Sequence, residues 1–180
     1  MEIAFKTEIE LNGAERKALS GLLQKCFTDT PYQGRSYFKQ LPGYRLIATS
    51  GKKLLGQVGI DFRVMNLDGK PIRVLGAIDL CVDPRHRNQG IGTALMREFE
   101  KLARKRGNNV DFLFLVTDVP GFYAGLGYKP TKPTVTWLKL HLHKSIGIGA
   151  ERPANIFLMF KPMGRKKWAG RVLDMLGYWY

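Results

Sequence analysis

The fold of this chain is decided by the stretch Ile78-Asp79-Leu80-Cys81-Val82-Asp83-Pro84-Arg85-His86-Arg87-Asn88-Gln89-Gly90-Ile91-Gly92. Its mostly apolar beginning, residues 78–82, predicts a strand, and residues 83–86 predict a turn. Residues 93–103 then have the spacing of a helix. A glycine-bearing loop therefore joins the end of a strand to the start of a helix. Such a loop presents backbone N–H groups at the positive end of the helix dipole, which favours a phosphate or a pyrophosphate.

The apolar periodicity of the other segments predicts a single mixed α/β domain over residues 1–180. Strands are expected at residues 3–9, 44–49, 54–65, 72–82, 111–116, 134–142 and 155–160. Helices are expected after the cap Asn12 and at residues 36–40, 91–106 and 120–126. Residues 107–109 are expected to stop a helix, and the glycine-rich residues 147–150 are expected to form a loop.

The chain is strongly basic, with 29 Lys and Arg against 15 Asp and Glu and a net charge of +14. A field of this sign concentrates anions, so nucleic acid, an anionic membrane surface and a polyphosphate cofactor are all candidate partners. The basic residues cluster at the helix end 101–106 and in residues 161–171. Cations complement the dipole at a helix C-terminus, and a run of charges is usually solvated. Nucleic acid is therefore not expected to be the main partner.

The first residues of the chain and its two cysteines indicate the cellular compartment in which the protein is expected. Residues 1–8 do not combine a charged start with an apolar core, so no signal peptide is expected. No apolar run approaches the roughly 20 residues that a membrane span requires. Cys26 lies in a helical pattern and Cys81 in a strand pattern, which is typical of two reduced core thiols; a disulfide or a catalytic thiol is the alternative. These observations predict a cytoplasmic protein.

Two motifs connect the chain to a known family. The first is the stretch from Val82 to Gly92, which matches Val-x-Pro-x-x-Arg/Gln-x-x-Gly-x-Gly/Ala, with Asp83 as the one residue between Val and Pro. The second is Phe122-Tyr123-Ala124-Gly125-Leu126-Gly127-Tyr128, which matches Phe-Tyr-x-x-x-Gly-Phe/Tyr. Together with the element order, these motifs resemble the GNAT superfamily of acyl-CoA-dependent N-acyltransferases. The resemblance implies a mixed, mostly antiparallel sheet of about seven strands, splayed at its centre and flanked by about four helices.

The later part of the chain carries a narrower resemblance. Residues 155–164, Asn-Ile-Phe-Leu-Met-Phe-Lys-Pro-Met-Gly, and then Trp168-Ala169-Gly170, are similar to the ending shared by the rhizobial nodulation N-acyltransferases and the aminoglycoside 2'-N-acetyltransferases. This similarity suggests a neighbourhood in the superfamily and does not determine the substrate.

The resemblance implies acetyl-CoA as the cofactor. In the family, N–H groups of the glycine loop hold the pyrophosphate, while the central strand receives the pantetheine arm and donates an N–H to the acyl carbonyl oxygen. The coenzyme-binding residues carried over to this sequence are Leu80, Cys81, Val82, Arg87, Asn88, Gln89, Gly90, Ile91, Gly92, Thr93, Asp118 and Tyr123. Asp118 stands where the family often has an asparagine, and it can instead cap the helix that follows.

Two residues are expected to carry the chemistry. Tyr123 matches the family's tyrosine that protonates the leaving thiolate, the alternative being a structural aromatic. Asp79 is the candidate general base, acting directly or through a water, and strand alternation places it on the face opposite Ile78 and Leu80. Further candidates near the acceptor are Asp61, His141 and His143, whereas His86 is expected to be exposed. No metal is expected, because two histidines at i and i+2 make a poor zinc site.

The sequence thus predicts an N-acetyltransferase that moves an acetyl group from acetyl-CoA to a primary amine of a small molecule by direct attack. The alternatives are a longer-chain N-acyltransferase, a protein N-terminal or lysine acetyltransferase, a non-catalytic CoA-binding module and a basic nucleic-acid- or ribosome-associated protein. The acceptor pocket is expected to involve residues 28–45, residues 54–65 and the aromatic tail 178–180. The tail lines that pocket or seals a homodimer.

Overall fold

The computed structural model describes residues 1–105 and 109–180. The α-helices in these ranges are α1 (Gly13–Cys26), α2 (Ile91–Lys105) and α3 (Pro120–Ala124). The strands are β1 (Glu2–Thr7), β2 (Tyr44–Ser50), β3 (Lys53–Leu67), β4 (Lys70–Val82), β5 (Phe112–Thr117), β6 (Lys129–Thr131), β7 (Thr134–His141), β8 (Lys144–Glu151), β9 (Phe157–Pro162) and β10 (Val172–Tyr178). The chain divides into two compact units, a first unit of residues 1–61 and 77–102 and a second unit of residues 62–76 and 103–180.

The first unit contains an antiparallel arrangement of β1, β2 and the beginning of β3. Helix α1 begins with a capping box, in which the Asn12 side chain accepts from the Glu15 N–H and the Glu15 side chain accepts from the Asn12 N–H. The buried face of α1 carries Leu19, Leu22 and Leu23, whose spacing of three and four residues forms an apolar stripe. That stripe packs on the sheet residues of the same unit.

The strands that enter the second unit lie in the order β6-β9-β5-β4-β3-β10-β7-β8, with hydrogen bonds between neighbours. Strand β9 pairs antiparallel with both β5 and β6, and β5 pairs parallel with the Val74–Gly76 part of β4. Strand β10 pairs antiparallel with β3 and parallel with β7, and β8 pairs antiparallel with β7. Their buried side chains form one core that includes Phe112, Phe114 and Met175. No helix among the described residues is long and apolar enough to cross a membrane.

The predicted α/β class and the mostly antiparallel pairing are confirmed, but the predicted helix at residues 36–40 is wrong. Residues 27–43 contain neither helix nor strand. The carbonyl oxygen of Ser36, which a helix would use internally, instead accepts a hydrogen bond of 2.7 Å from the buried guanidinium of Arg45. This partner lies in β2, so local spacing cannot reveal it. The predicted helix stop at 107–109 lies largely outside the described residues.

The predicted loop at residues 147–150 is also wrong, because these residues belong to β8. Gly149 lies opposite Trp137 of β7, and a Cβ at Gly149 would collide with the indole ring. The glycine therefore makes room for an aromatic ring across the strand pair. Strands β6 and β10 were not predicted, although the alternation of buried Leu173 and Met175 in β10 is a strand signal.

Candidate functional site

The glycine loop forms the first part of the candidate site. A short 3-10 turn at Pro84–His86 follows β4, residues 87–90 are exposed, and α2 begins at Ile91. The Ala94 N–H donates to the Gly90 carbonyl oxygen at 2.9 Å, which is the first bond of the helix. Helix geometry leaves the preceding N–H groups, those of Ile91, Gly92 and Thr93, without intrahelical partners. The loop thus presents amides and the positive helix end at the protein surface.

Two residues of the loop adopt the left-handed backbone conformation, Asn88 with φ 61° and Gly90 with φ 77°. Alternation of right- and left-handed residues turns successive N–H groups toward one concave side, an arrangement that suits an anion. A Cβ at Gly90 would find open space, so only its backbone conformation requires a glycine there. These two left-handed residues support the prediction that the loop holds a phosphate, which stays a prediction.

Asp83 holds the start of this loop. Its N–H donates to the Leu55 carbonyl oxygen at 2.8 Å, and its carboxylate accepts from the N–H and the guanidinium of Arg85. The Arg85 contact holds the pKa of Asp83 well below its usual range. His86, expected to be exposed, is half-buried, and one of its ring nitrogens lies 3.1 Å from the Lys53 ammonium. Lys53 adds a cation beside the loop that the motif does not include.

The end of β4 forms the second part of the candidate site, and here the simple alternation fails. Asp79 has φ 51°, so the regular strand conformation is interrupted at this residue. Leu80 and Val82 are half-buried, while Cys81 is buried. The positive φ at Asp79 breaks the regular alternation of side chains along β4. Strand periodicity therefore does not determine which face of the sheet Asp79 lies on relative to Leu80.

A buried polar network supports the interruption at Asp79. The guanidinium of Arg45, which is 1% exposed, donates to Glu8 at 2.6 Å and to the Gln57 side-chain oxygen at 2.9 Å. The Gln57 amide nitrogen in turn donates to the Asp79 backbone carbonyl oxygen. Sequence analysis missed this chain of contacts, although a glutamine and an arginine within apolar strand patterns were a visible signal. The network fixes the backbone that leads into Leu80 and Cys81.

The Asp79 carboxyl group lies among side chains from residues 27–43 and from β2. Tyr32, which is 1% exposed, shares a side-chain hydrogen bond with it, and the cations of Arg45 and Lys39 act on it electrostatically. Burial raises the pKa of Asp79 above its ordinary value, although these three neighbours oppose the shift. Burial also lowers the pKa of Lys39. A carboxylate with a raised pKa is a better proton acceptor, so this geometry suits a general base.

A close approach of β3 to β4 fixes the position of Cys81. A Cβ on Gly56 would lie 2.8 Å from the Cys81 carbonyl oxygen, closer than real Cβ contacts. We therefore expect Gly56→Ala to displace the end of β4 and to lower the free energy of unfolding by about 1–3 kcal/mol. Gly21→Ala is the control, because Gly21 lies in α1 with open space around it. Urea denaturation of both variants measures the difference, and equal stabilities would contradict the expectation.

Tyr123 lies in the second unit, in the short helix α3, and its side chain is buried. Its ring packs edge-on against Phe122 and Tyr128, with centroid distances of 4.9 Å and 5.9 Å. Burial, together with the charge of Asp118, raises the pKa of Tyr123 to about 12. The phenol therefore stays protonated throughout the neutral range and is available as a hydrogen-bond donor.

Asp118 is exposed and does not cap the helix that follows, because α3 begins after Val119 without a hydrogen bond from a capping side chain. The hydroxyl oxygen of Thr117 accepts the Val119 N–H at 3.0 Å. Asp118 lies close enough to Tyr123 for its charge to help raise the pKa of the phenol.

The two histidines that were candidates near the acceptor, His141 and His143, are exposed at the β7–β8 turn.

The aromatic tail packs within the second unit. The Tyr178 carbonyl oxygen accepts from Arg63 at 2.9 Å, and the Tyr180 ring lies over Gly76, where a Cβ would collide with its hydroxyl. Trp179 packs edge-on against Trp137 with centroids 4.9 Å apart.

In the first unit, a cleft of about 690 Å³ separates α1 from the loop that follows it. Gly34, Arg35, Ser36, Tyr37 and Leu41 line the loop side of this cleft, within the region expected to bind the acceptor.

Comparisons with known proteins agree with the motifs. A family model described as "Acetyltransferase (GNAT) domain" matches residues 9–131. An uncharacterized N-acetyltransferase of Methanocaldococcus jannaschii is 30% identical over 115 residues, which cover 59% of this chain and 50% of that protein. Human N-acetyltransferase 8B is 31% identical over 109 residues, which cover 58% of this chain and 46% of that protein. The chain therefore spans about half the length of these two relatives.

Two solved structures show the same fold. One is the GNAT family N-acetyltransferase YhbS of Escherichia coli in complex with CoA, with a TM-score of 0.60 and 16% sequence identity. The match covers 96% of this chain and 88% of the YhbS chain. The other is an aminoglycoside 6'-N-acetyltransferase complexed with coenzyme A, with a TM-score of 0.60 and 18% sequence identity. The match covers 91% of this chain and 99% of that enzyme's chain. GNAT-fold proteins use acetyl-CoA, in agreement with the cofactor predicted above.

Proposed function

Because the chain belongs to the GNAT acetyltransferase family, we propose that it transfers an acetyl group from acetyl-CoA to a primary amine of a small molecule. The observation that carries this proposal is the exposed glycine loop, whose left-handed Asn88 and Gly90 precede the amides at the start of α2. Acetyl-CoA supplies the acetyl group as a reactive thioester and carries the negative charges that this loop suits.

The first unit is proposed to bind the coenzyme and to activate the amine. The amides of residues 87–93 hold the pyrophosphate, with Arg87 and Lys53 contributing positive charge beside it. Backbone N–H groups of residues 80–82 donate to the acyl carbonyl oxygen as negative charge develops on it. Asp79 accepts the proton of the attacking amine, directly or through a water, and its raised pKa supports that role.

Tyr123 is proposed to donate a hydrogen bond to the sulfur of the departing CoA. With a pKa of about 12 the phenol is a weaker acid than a thiol of pKa near 8.5, so stabilising the thiolate by a hydrogen bond is favoured over complete proton transfer. Asp118 is proposed to lie beside the pantetheine arm, where its charge adds to the effect of burial in raising the pKa of Tyr123.

Titration calorimetry with CoA tests the binding part of the proposal. We expect Gly90→Ala to weaken CoA binding by about 5- to 30-fold, because a left-handed alanine costs about 1–2 kcal/mol. Gly69→Ala is the matched control, since Gly69 also has a positive φ and open space around it but lies in the β3–β4 turn. Unchanged affinity in Gly90→Ala, or absence of binding by the unaltered protein at millimolar CoA, would contradict the proposal.

Release of CoA thiol with a panel of amines and acyl donors tests the reaction. The aromatic core around β5, in which Phe112 and Phe114 pack against Trp168, supports acetyl over a longer acyl chain. Turnover of peptides alone would favour a protein acetyltransferase, and CoA binding without turnover of any amine would favour a non-catalytic module. Salt-dependent RNA retention would favour the nucleic-acid alternative.

Three further statements belong to the proposal. Residues 1–180 are proposed to fold as one GNAT domain, which the passage of β3 and β4 through both units supports. A cytoplasmic location is proposed because Cys26 and Cys81 are free thiols. A homodimer is proposed as the assembly to be tested by sedimentation.

A further inference from the structure

Two cysteines from distant parts of the sequence lie together in the first unit. Cys26 is the last residue of α1, and Cys81 is the next-to-last residue of β4. The Cys26 thiol donates to the carbonyl oxygen of Val82, the neighbour of Cys81, at 3.3 Å, and the electrostatics of the two thiols are linked. Cys81 belongs to a buried apolar cluster, and Cys26 packs against it from the partly exposed side. The pair therefore has one accessible and one sheltered sulfur.

The electrostatic surroundings distinguish the two sulfurs. The hydrogen bond from Cys81, aided by the guanidinium of Arg87, lowers the pKa of Cys26 to about 7, against the opposing effects of burial and the Asp83 charge. The same hydrogen bond and burial raise the pKa of Cys81 well above its ordinary value, and the Asp79 charge acts in the same direction. Cys26 is thus suited to react first as a thiolate, while Cys81 remains a thiol.

We propose that Cys26 and Cys81 form a thiol–disulfide exchange site that reacts with low-molecular-weight disulfides, such as oxidised glutathione. The Cys26 thiolate attacks one sulfur of the disulfide, a mixed disulfide forms, and one small thiol leaves. Cys81 then loses its proton and attacks the Cys26 sulfur, which releases the second small thiol. The protein pair loses two hydrogens and two electrons, and the small disulfide is reduced to two thiols.

This chemistry goes beyond the proposed acetyl transfer and does not depend on it. The contact between the two thiols, the asymmetry of their exposure and the adjacent Arg87 carry the inference. A bond between Cys26 and Cys81 would tie the end of α1 to β4 one residue before the glycine-loop motif turns away from the sheet. Oxidation is therefore expected to alter the conformation of the Cys81–Asp83 backbone.

Intact-mass spectrometry after treatment with oxidised glutathione tests the proposal. The unaltered protein is expected to lose about 2 Da and to retain no glutathione, because the second thiol resolves the mixed disulfide. Cys81→Ser is expected to retain one glutathione, and Cys26→Ser to remain unmodified because Cys81 is buried. An unchanged mass of the unaltered protein, or a glutathione adduct that persists on it, would overturn the proposal even if a variant fails to fold.

The pH dependence of alkylation provides a second readout. The rate at which iodoacetamide modifies Cys26 in the unaltered protein is expected to rise through a midpoint near pH 7, since the thiolate is the reactive form. In Cys81→Ala the hydrogen bond from Cys81 is lost and only Arg87 remains to stabilise the thiolate, so the midpoint is expected to move toward the ordinary value of about 8.5. A midpoint at or above that ordinary value in the unaltered protein would count against the reactive role of Cys26.

Discussion

Tyr123→Phe is expected to lower kcat by about ten- to a thousand-fold, the range in which a lost proton or hydrogen-bond donor usually falls. The phenylalanine keeps the ring and its edge-on packing against Phe122 and Tyr128, so the fold and the affinity for CoA should change little. Only the hydroxyl group disappears, and the departing thiolate would lose its donor. Steady-state kinetics with a reactive amine, with CoA affinity measured in parallel, tests the expectation.

Tyr128→Phe is the matched control for this experiment. Tyr128 is also buried and packs against the same ring, yet the family's tyrosine position belongs to Tyr123. We expect kcat of the control to stay near that of the unaltered enzyme. Because the pKa of Tyr123 is raised to about 12, the tyrosine should cause no loss of activity between pH 8 and about 10. Equal turnover of Tyr123→Phe and the unaltered enzyme would remove Tyr123 from the mechanism.

Arg45→Leu is expected to lower the free energy of unfolding by about 3–5 kcal/mol, the usual result of removing one partner from a buried ion pair. The guanidinium donates hydrogen bonds to Glu8, to Gln57 and to the Ser36 carbonyl oxygen. In the leucine variant, each of these three buried acceptors loses that donor. The loss also releases the Gln57 side chain that holds the Asp79 carbonyl. We therefore expect kcat to fall in parallel, and urea denaturation with an unchanged m-value would establish the stability effect.

Arg16→Ala provides a comparison that uses the same acidic partner. Arg16 donates to Glu8 at 2.9 Å, but its side chain is much more exposed than that of Arg45. The expected loss is about 1 kcal/mol, because water can replace an exposed cation. The double variant Glu8→Leu with Arg45→Leu should recover part of the stability lost in Arg45→Leu, since it also removes the buried Glu8 carboxylate, which would keep only the more exposed Arg16 as a partner. A loss in Arg45→Leu no greater than that in Arg16→Ala would contradict the importance of the network.

Much of the glycine loop could be predicted from local sequence. Pro84 and Asp83 indicate the turn, Gly90 supplies the left-handed residue, and the periodic residues that follow form α2. Strand bounds in the first part of the chain were likewise close to the predicted ones, because each strand has a buried face whose period is two. These features depend on contacts between residues that are close in the sequence, so the local sequence is sufficient to predict them.

The conformation of residues 27–43 and of the backbone at Asp79 could not be predicted in the same way. The spacing of residues 36–40 suggested a helix, but Arg45 uses the Ser36 carbonyl, and Tyr32 lies buried beside Asp79. The period of two placed Asp79 on a definite face, but its positive φ interrupts that period. In both places a contact between residues remote in sequence outweighs the local preference.

By itself, the sequence determined the α/β class, the loop between β4 and α2 that is proposed to bind the pyrophosphate, and the choice of Tyr123 as the candidate donor. These follow from motifs whose residues act through their own backbone and immediate neighbours. Only the tertiary structure decided the network from Glu8 to Asp79, the pairing of Cys26 with Cys81 and the close approach of Gly56 to β4. Such contacts join separate elements, and burial makes them strong because water no longer competes for the same polar groups.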